Sequence, residues 1–400
     1  MSTNDFPLRR RQLLAGSASA LAASGLATFT RGASAQTARP FPPNLEWKDP
    51  ANFIVHNARE LETKRSAFGT SAITPAERLF VRANLPTPDP SIVADRDAWT
   101  VSIEGVRNPR TLSIRELKAI GIETTTSVLQ CSGNGRGFFP SKPTGAQWTV
   151  GASGCVVWSG VPIRYLVDAL GGLDAGVQFI TGTGGEKLPE GVDPLSVVVE
   201  RSVPLRALPD ALLAWEMNGA PLPLIHGGPL RLIAPGFQGI NNVKYIKRLA
   251  FSATESKARI QQLGYRMAPL GGKADPSQPS VYEMGLNSWV NGPGADGAPV
   301  KAGTVWVHGV AFSGGTPIRK VEVSTNGGRD WLEGNFIGPD LGRFAWRQFA
   351  LPVKMAPGTY QVTSRATDAS GAVQVENRVE NLSGYNNTSW RDHIVAVTVA

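Results

Sequence analysis

Ser127-Val128-Leu129-Gln130-Cys131-Ser132-Gly133-Asn134-Gly135-Arg136-Gly137-Phe138-Phe139 is the stretch around which the chain is organised, and it holds one of only two cysteines in 400 residues. An apolar run of strand character leads into Cys131, and a Gly-Asn-Gly turn carrying Arg136 leaves it. Gly133 and Gly135 permit backbone conformations that other residues resist, which suits a loop wrapped closely around a ligand. A thiolate beside an arginine, on a loop leaving a strand, is where a soft metal or an anionic substrate could be held. A buried structural cysteine ahead of an ordinary turn has the same spacing. One cysteine has no ligand pattern of its own, so spacing alone favours that plainer reading.

Composition bounds the rest. At 400 residues there is room for two or three domains, and 42% hydrophobic residues suit a packed core. With Gly 44 and Pro 30, the protein reads as loop-rich and β-rich. The net charge is +8, of which Arg9, Arg10, Arg11 and Arg31 against Asp5 account for the leader's share. No block of like charge follows, so nothing reads as a nucleic-acid surface. The modest basic excess fits an anionic substrate or an acidic electron-transfer partner. Arg10-Arg11-Gln12-Leu13-Leu14, a small apolar run from Ala15 to Phe29 and Ala33-Ser34-Ala35 form a twin-arginine signal with a cleavage site. Residues 1–35 are therefore expected to direct export of the folded protein to the periplasm rather than to anchor it. No later apolar stretch is long enough for a membrane span in the mature chain.

Gln130-Cys131-Ser132-Gly133-Asn134, with Arg136, resembles the signature of the sulfite oxidase family of molybdenum enzymes. In that family the cysteine sulfur binds molybdenum, which is otherwise held by the dithiolene of molybdopterin. The likeness recurs along the chain. Phe80, Val81, Arg82, Ala83 and Asn84 resemble a segment that touches the pterin and places an arginine, here Arg82, over the metal. The family's Asn-His pair is Ala83-Asn84 here. Gly145-Ala146-Gln147-Trp148 is similar to a Gly-x-x-Trp whose tryptophan walls the substrate pocket. Leu213 to Gly236 reads as two strands around a Gly/Pro-rich loop bearing His226 and Arg231, a composition that suits a phosphate-bearing ligand. In the family, the matching His and Arg bind the pterin phosphate, and Asn242-Val243-Lys244 falls at a further pterin-binding stretch. Family members often carry a tyrosine at the metal just before Ser202-Val203-Pro204-Leu205, where this chain has Val199.

Coarse patterning fills in the elements. Residues 36–72 read as an extended arm, Asp97 to Gly105 as a half-buried strand, and Ser113 to Leu117 as a capped short helix. A second helix is predicted from about Ile163 to Leu170, stopped by Gly171-Gly172. Beyond the connector 256–280, short strands alternate with turn signals such as Asn326-Gly327 and Pro357-Gly358, which predicts an immunoglobulin-like sandwich over 281–400. It resembles the family's dimerisation domain. The expected fold class is α+β: a mixed α/β molybdopterin domain over 36–255, then the all-β sandwich.

The resemblance implies molybdenum-dependent oxidation of sulfite, or a similar small anion, to sulfate. Arg82 and Arg136 would form a cationic pocket and Trp148 its wall. There is no C-x-x-C-H, hence no c-type haem on this chain, so electrons would pass to a separate periplasmic cytochrome c. A homodimer through the sandwich is implied as well. With Cys131 assigned to the metal, Cys155 is expected as a free core residue rather than a disulfide partner. The alternatives are a related molybdenum enzyme acting on another sulfur compound or reducing an S- or N-oxide, and a non-catalytic binding protein of the same fold.

Overall fold

The cysteine strand, Glu123–Gln130, is paired along its whole length with Ser153–Pro162, in a register that sets Val128 against Cys155 and Gln130 against Ser153. Ser153–Pro162 pairs in turn with Leu212–Met217, which also takes Ala220–Pro221 and Arg231–Ile233. The computed structural model describes residues 39–400, so the leader expected over 1–35 lies outside the described residues. This one sheet carries both chemistry-bearing loops. Cys131 leaves one of its strands, and His226 precedes another.

A second, mixed sheet runs Arg110–Ser113, Thr100–Glu104, Ile246–Ser252, Phe179–Gly184, Glu200–Pro204. Val101 and Ile103 face inward and are buried, the period-two pattern of a strand with one covered face. The two predicted helices are present. Ile114–Ile120 starts at Ser113, whose hydroxyl and the Glu116 carboxylate form a reciprocal capping box. Ile163–Ala169 is followed by Gly171 at φ +83°, a left-handed residue that stops the helix. Ile114, Leu117, Ile163 and Leu166 pack into the main core with Ile180 and Leu249 of the mixed sheet.

The arm is more structured than expected. Phe53–Asn57 and Glu60–Thr63 form a hairpin, and Val81–Arg82 adds a third strand with Glu60 opposite Arg82. The hairpin forms because Phe53 and Leu61 can bury themselves with Leu45, Val81 and Ile225 in a small cluster of their own. Those partners are far apart in sequence, so no local period announces them.

In the C-terminal half, one sheet orders Asn287–Gly292, Gly303–Phe312, Arg347–Met355 and Asn335–Ile337. The other orders Leu332–Glu333, Ile318–Ser324, Gly358–Asp368 and Val395–Val399. Val307, Val321, Phe349, Val362 and Val397 fill the space between them, as in a β-sandwich. The sandwich is fused to the cysteine sheet. Val128, Val150 and Cys155 share one core cluster with Trp289, Phe312 and Trp346. The Val128 amide donates to the Phe344 carbonyl at 2.8 Å, and the Trp346 indole donates to the Ala72 carbonyl at 2.8 Å. Each large apolar side chain buried at this junction contributes about 1.5–3 kcal/mol. Cys155 sits in it as a free thiol, pushed up to about 12 by burial. It therefore stays protonated and inert.

Among the described residues, no helix is long and apolar enough to cross a membrane.

Candidate active site

The loop after the cysteine strand is zipped onto the segment that follows Trp148. The Cys131 amide donates to the Ala152 carbonyl at 2.8 Å, the Gly135 amide to the Thr149 carbonyl at 2.6 Å, and the Gly137 amide to the Trp148 carbonyl at 2.8 Å. Asn134 returns the contact by accepting from the Ala152 amide at 3.0 Å. Gly133 and Gly145 are required here for space: a Cβ on either would collide with the Arg136 guanidinium, which lies across both.

Cys131 opens into a cleft. Phe80, Arg82, Ala83 and Asn84 form part of its wall, with Asn242, Val243 and Lys244 and, from the intervening loop, His226 and Arg231. The structure thus gathers ten of the thirteen sequence-derived site residues around one space. Three are placed elsewhere. Val81 is fully buried in the hairpin cluster, because strand alternation turns it away from the face that carries Phe80 and Arg82. Trp148 is fully buried behind the cysteine loop, its ring edge-on to His56 at 4.7 Å. Arg136 is buried outside the cleft lining. Its Nε donates to the Ser383 carbonyl at 2.8 Å and its Nη1 to the Ala146 carbonyl at 3.1 Å. As placed, Arg136 is a clamp between the cysteine loop and the sandwich, and of the two arginines expected at the substrate only Arg82 faces the cleft.

The far wall of the cleft is strongly positive. The Arg231 Nε donates to the Asn242 carbonyl at 3.0 Å and its Nη1 to the His226 carbonyl at 2.8 Å. Lys244 Nζ donates to the carbonyls of Ile225 at 2.7 Å and Arg82 at 3.0 Å. Burial, reinforced by Arg231, Arg82 and Lys48, holds the Lys244 ammonium well below its usual range. Burial, then Lys48, Lys244 and Arg231, does the same to the His226 imidazole, whose Nε2 is buried without a partner. Arg82 pairs with Glu60 at 3.2 Å, and although burial opposes its charge, Tyr265, Cys131 and Glu60 raise its pKa overall. Buried like charges with spare donors are costly unless an anion joins them.

Three polar lining residues were not anticipated as site groups. Glu186 is pushed up to about 7 by burial, with Lys244 opposing, and its Oε2 is buried and unpartnered. The only hint of it is the glycine run before it: a Cβ on Gly184 would strike this carboxylate. Tyr265 comes from the expected connector and brings a phenol to the cleft that also contains Val199. Ser132 adds a hydroxyl beside the cysteine, buried and without a partner.

Comparison with known proteins follows this geometry. The family model described as the oxidoreductase molybdopterin binding domain matches residues 85–260, and that of the Mo-co oxidoreductase dimerisation domain matches residues 278–399. Sulfite oxidase of Arabidopsis thaliana is 30% identical over 364 residues, covering 84% of this chain and 91% of that protein. The chain belongs to the sulfite oxidase family. Another member, sulfite oxidase of Gallus gallus, is 33% identical over 372 residues, 88% of this chain and 78% of that one. The fold is shared with the sulfane dehydrogenase SoxCD of Paracoccus pantotrophus, with a TM-score of 0.72 at 22% identity over 94% of this chain and 96% of that one.

As a member of the sulfite oxidase family the protein is a molybdopterin oxidoreductase, and its cofactor is Mo-molybdopterin. The residues present fit that group. A thiol donor for a soft metal stands on one wall, and a cluster of buried cations short of an anion meets the need of a phosphate on another.

Proposed function

We propose that the protein oxidises sulfite to sulfate in the periplasm and passes the electrons one at a time to a cytochrome c. In this reading it works as a homodimer after export by the twin-arginine route. The observation that carries the reading is the single cleft that brings Cys131, Arg82 and the His226–Arg231–Lys244 group together. Bound there, Mo-molybdopterin supplies the two-electron, oxygen-transferring centre, while the protein supplies position and charge. Cys131 is the thiolate donor to the metal. His226, Arg231 and Lys244 hold the phosphate, whose charge offsets the burial and, after it, the mutual repulsion that depress the histidine and the lysine. Arg82 keeps a positive charge on the substrate side and favours a dianion over neutral compounds. The Tyr265 phenol offers a hydrogen-bond donor to an oxygen of the bound anion. The sandwich matches a dimerisation domain, which supports the homodimer.

The test is sulfite-dependent reduction of cytochrome c by the molybdenum-loaded protein, with Cys131→Ser as the control. Turnover that is lost in the variant is expected. Stoichiometric molybdenum without sulfite turnover would refute sulfite as the substrate and leave the cofactor assignment standing.

A further inference from the structure

The sandwich does more than share a core with the cysteine sheet. Residues 381–387 return from it and touch the active-site loop at several points. The Asn386 amide donates to the Ser132 carbonyl at 3.0 Å, and the Asn387 side chain donates to the Gly135 carbonyl at 3.0 Å. Ser383 accepts from Arg136. In the middle of this segment Tyr385 is buried, with its amide and carbonyl both tied to the Asn381 side chain at 2.9 Å. Its ring stacks on that of Tyr265, with centroids 5.2 Å apart and planes inclined by 16°. Its other neighbour is the Arg136 guanidinium, 5.4 Å from the ring centroid. The Tyr385 hydroxyl donates to the carbonyl of Gly264, the residue just before Tyr265, at 3.2 Å. Tyr385 thus holds Tyr265 twice, by its ring face and through the preceding peptide, and it does so from the half of the chain that otherwise contributes no cleft wall.

We propose that Tyr385 is a positioning residue of the active site, which sets the phenol of Tyr265 in the cleft and ties it, through Arg136, to the cysteine loop. The functional part rests on the reading given above; the geometric part does not. Aromatic stacking of this kind restrains a ring against turning. The Arg201 guanidinium lies 5.6 Å from the same ring centroid and the Tyr265 carbonyl accepts from the Val281 amide at 2.9 Å, so Tyr385 supplies the aromatic part of the restraint.

Two measurements test this. First, 3-fluorotyrosine is placed at position 265 and its 19F line recorded on the purified protein, in wild type and in Tyr385→Leu and Tyr385→Phe. The Leu variant is expected to move and narrow the line as the ring is released, and the Phe variant, which keeps the stack but loses the bond to Gly264, to move it by less. An unmoved line in a folded Leu variant overturns the proposal, whatever the substrate proves to be. Second, sulfite kinetics are compared for Tyr385→Phe with Tyr265 intact and in a Tyr265→Phe background. Loss of one hydrogen bond is expected to lower kcat by about two- to tenfold in the first background and to have no effect in the second. Equal losses in both backgrounds assign Tyr385 to general stability, and no loss in either removes it from the mechanism; both refute the proposal. Should the Leu variant not fold, the Phe cycle decides by itself. If wild type does not turn over sulfite, the function reading fails and the fluorine line decides the proposal.

Discussion

Replacing Lys244 by Met should weaken the cofactor-bound form of the protein and leave the cofactor-free form nearly unchanged. An ammonium has three donors, and two are spent on the Ile225 and Arg82 carbonyls. One remains for a ligand in the cleft that Lys244 lines. A charge-assisted hydrogen bond to a phosphate contributes about 1.5–3 kcal/mol, so Lys244→Met is expected to weaken cofactor binding by roughly 10- to 150-fold. Without cofactor the balance differs. There the same ammonium is buried beside Arg231, Arg82 and Lys48, with Glu186 as the opposing charge. Removing it relieves desolvation and repulsion while freeing two carbonyls, each a net loss of about 0.5–1.5 kcal/mol. The cofactor-free variant should therefore unfold within about 1 kcal/mol of the cofactor-free wild type. The assay is molybdenum and pterin content after purification, followed by urea unfolding of both forms with and without cofactor. Full cofactor retention in Lys244→Met, or a large loss of stability confined to the cofactor-free form, would refute the view that this wall is built for an anion.

The other predictions are direct. Cys131→Ser should abolish turnover while leaving most of the bound molybdenum in place, because the dithiolene and the wall of His226, Arg231 and Lys244 still hold the cofactor, and far-ultraviolet circular dichroism should be unchanged, because Cys131 makes no disulfide. Arg136→Met should destabilise the fold by about 1.5–3 kcal/mol, since two carbonyls lose a buried cationic donor. A change in KM for sulfite at unchanged stability would instead put Arg136 in the substrate pocket. Lys48, which donates to the Ala76 and Leu79 carbonyls, is lowered to about 7 by burial, with Glu77 opposing. Between pH 7 and its ordinary 10.5 the unfolded chain holds a proton that the folded chain does not, so stability should rise with pH in that window. The slope of unfolding free energy against pH, measured from 7 to 9, should be smaller in Lys48→Met than in wild type.

What could be read from the sequence was what is contiguous in it. Cys131 with its glycines, and His226 with Arg231, are short segments in which ligand and backbone needs coincide, and the structure brings them to one cleft. The alternation that parts Val81 from Arg82 belongs to a strand of two residues, too short to show a period in the sequence. Arg136 could not be placed because its partners are main-chain carbonyls of Ala146 and Ser383, which no residue identity marks. Trp148 has the right spacing from Cys131, but its side is decided by the zipped loop and by His56, from another sheet. Tyr265 stands in a segment without period, and the residue beside it is fixed by a hydroxyl 121 residues away. Glu186 had only a glycine run to announce it.

The bracing of the cysteine loop by residues 381–387 has a consequence in time. Gly135 and Asn387 are separated by 252 residues. At about 5–20 residues per second, translation takes roughly 10–50 s to cross that gap. Throughout that interval the nascent chain's cysteine loop has its zip to Trp148, Thr149 and Ala152 but lacks the brace from Ser383, Asn386 and Asn387. Every residue that lines the cleft is made before that brace is, so the final setting of the loop, rather than the cleft wall, is what waits for the end of the chain.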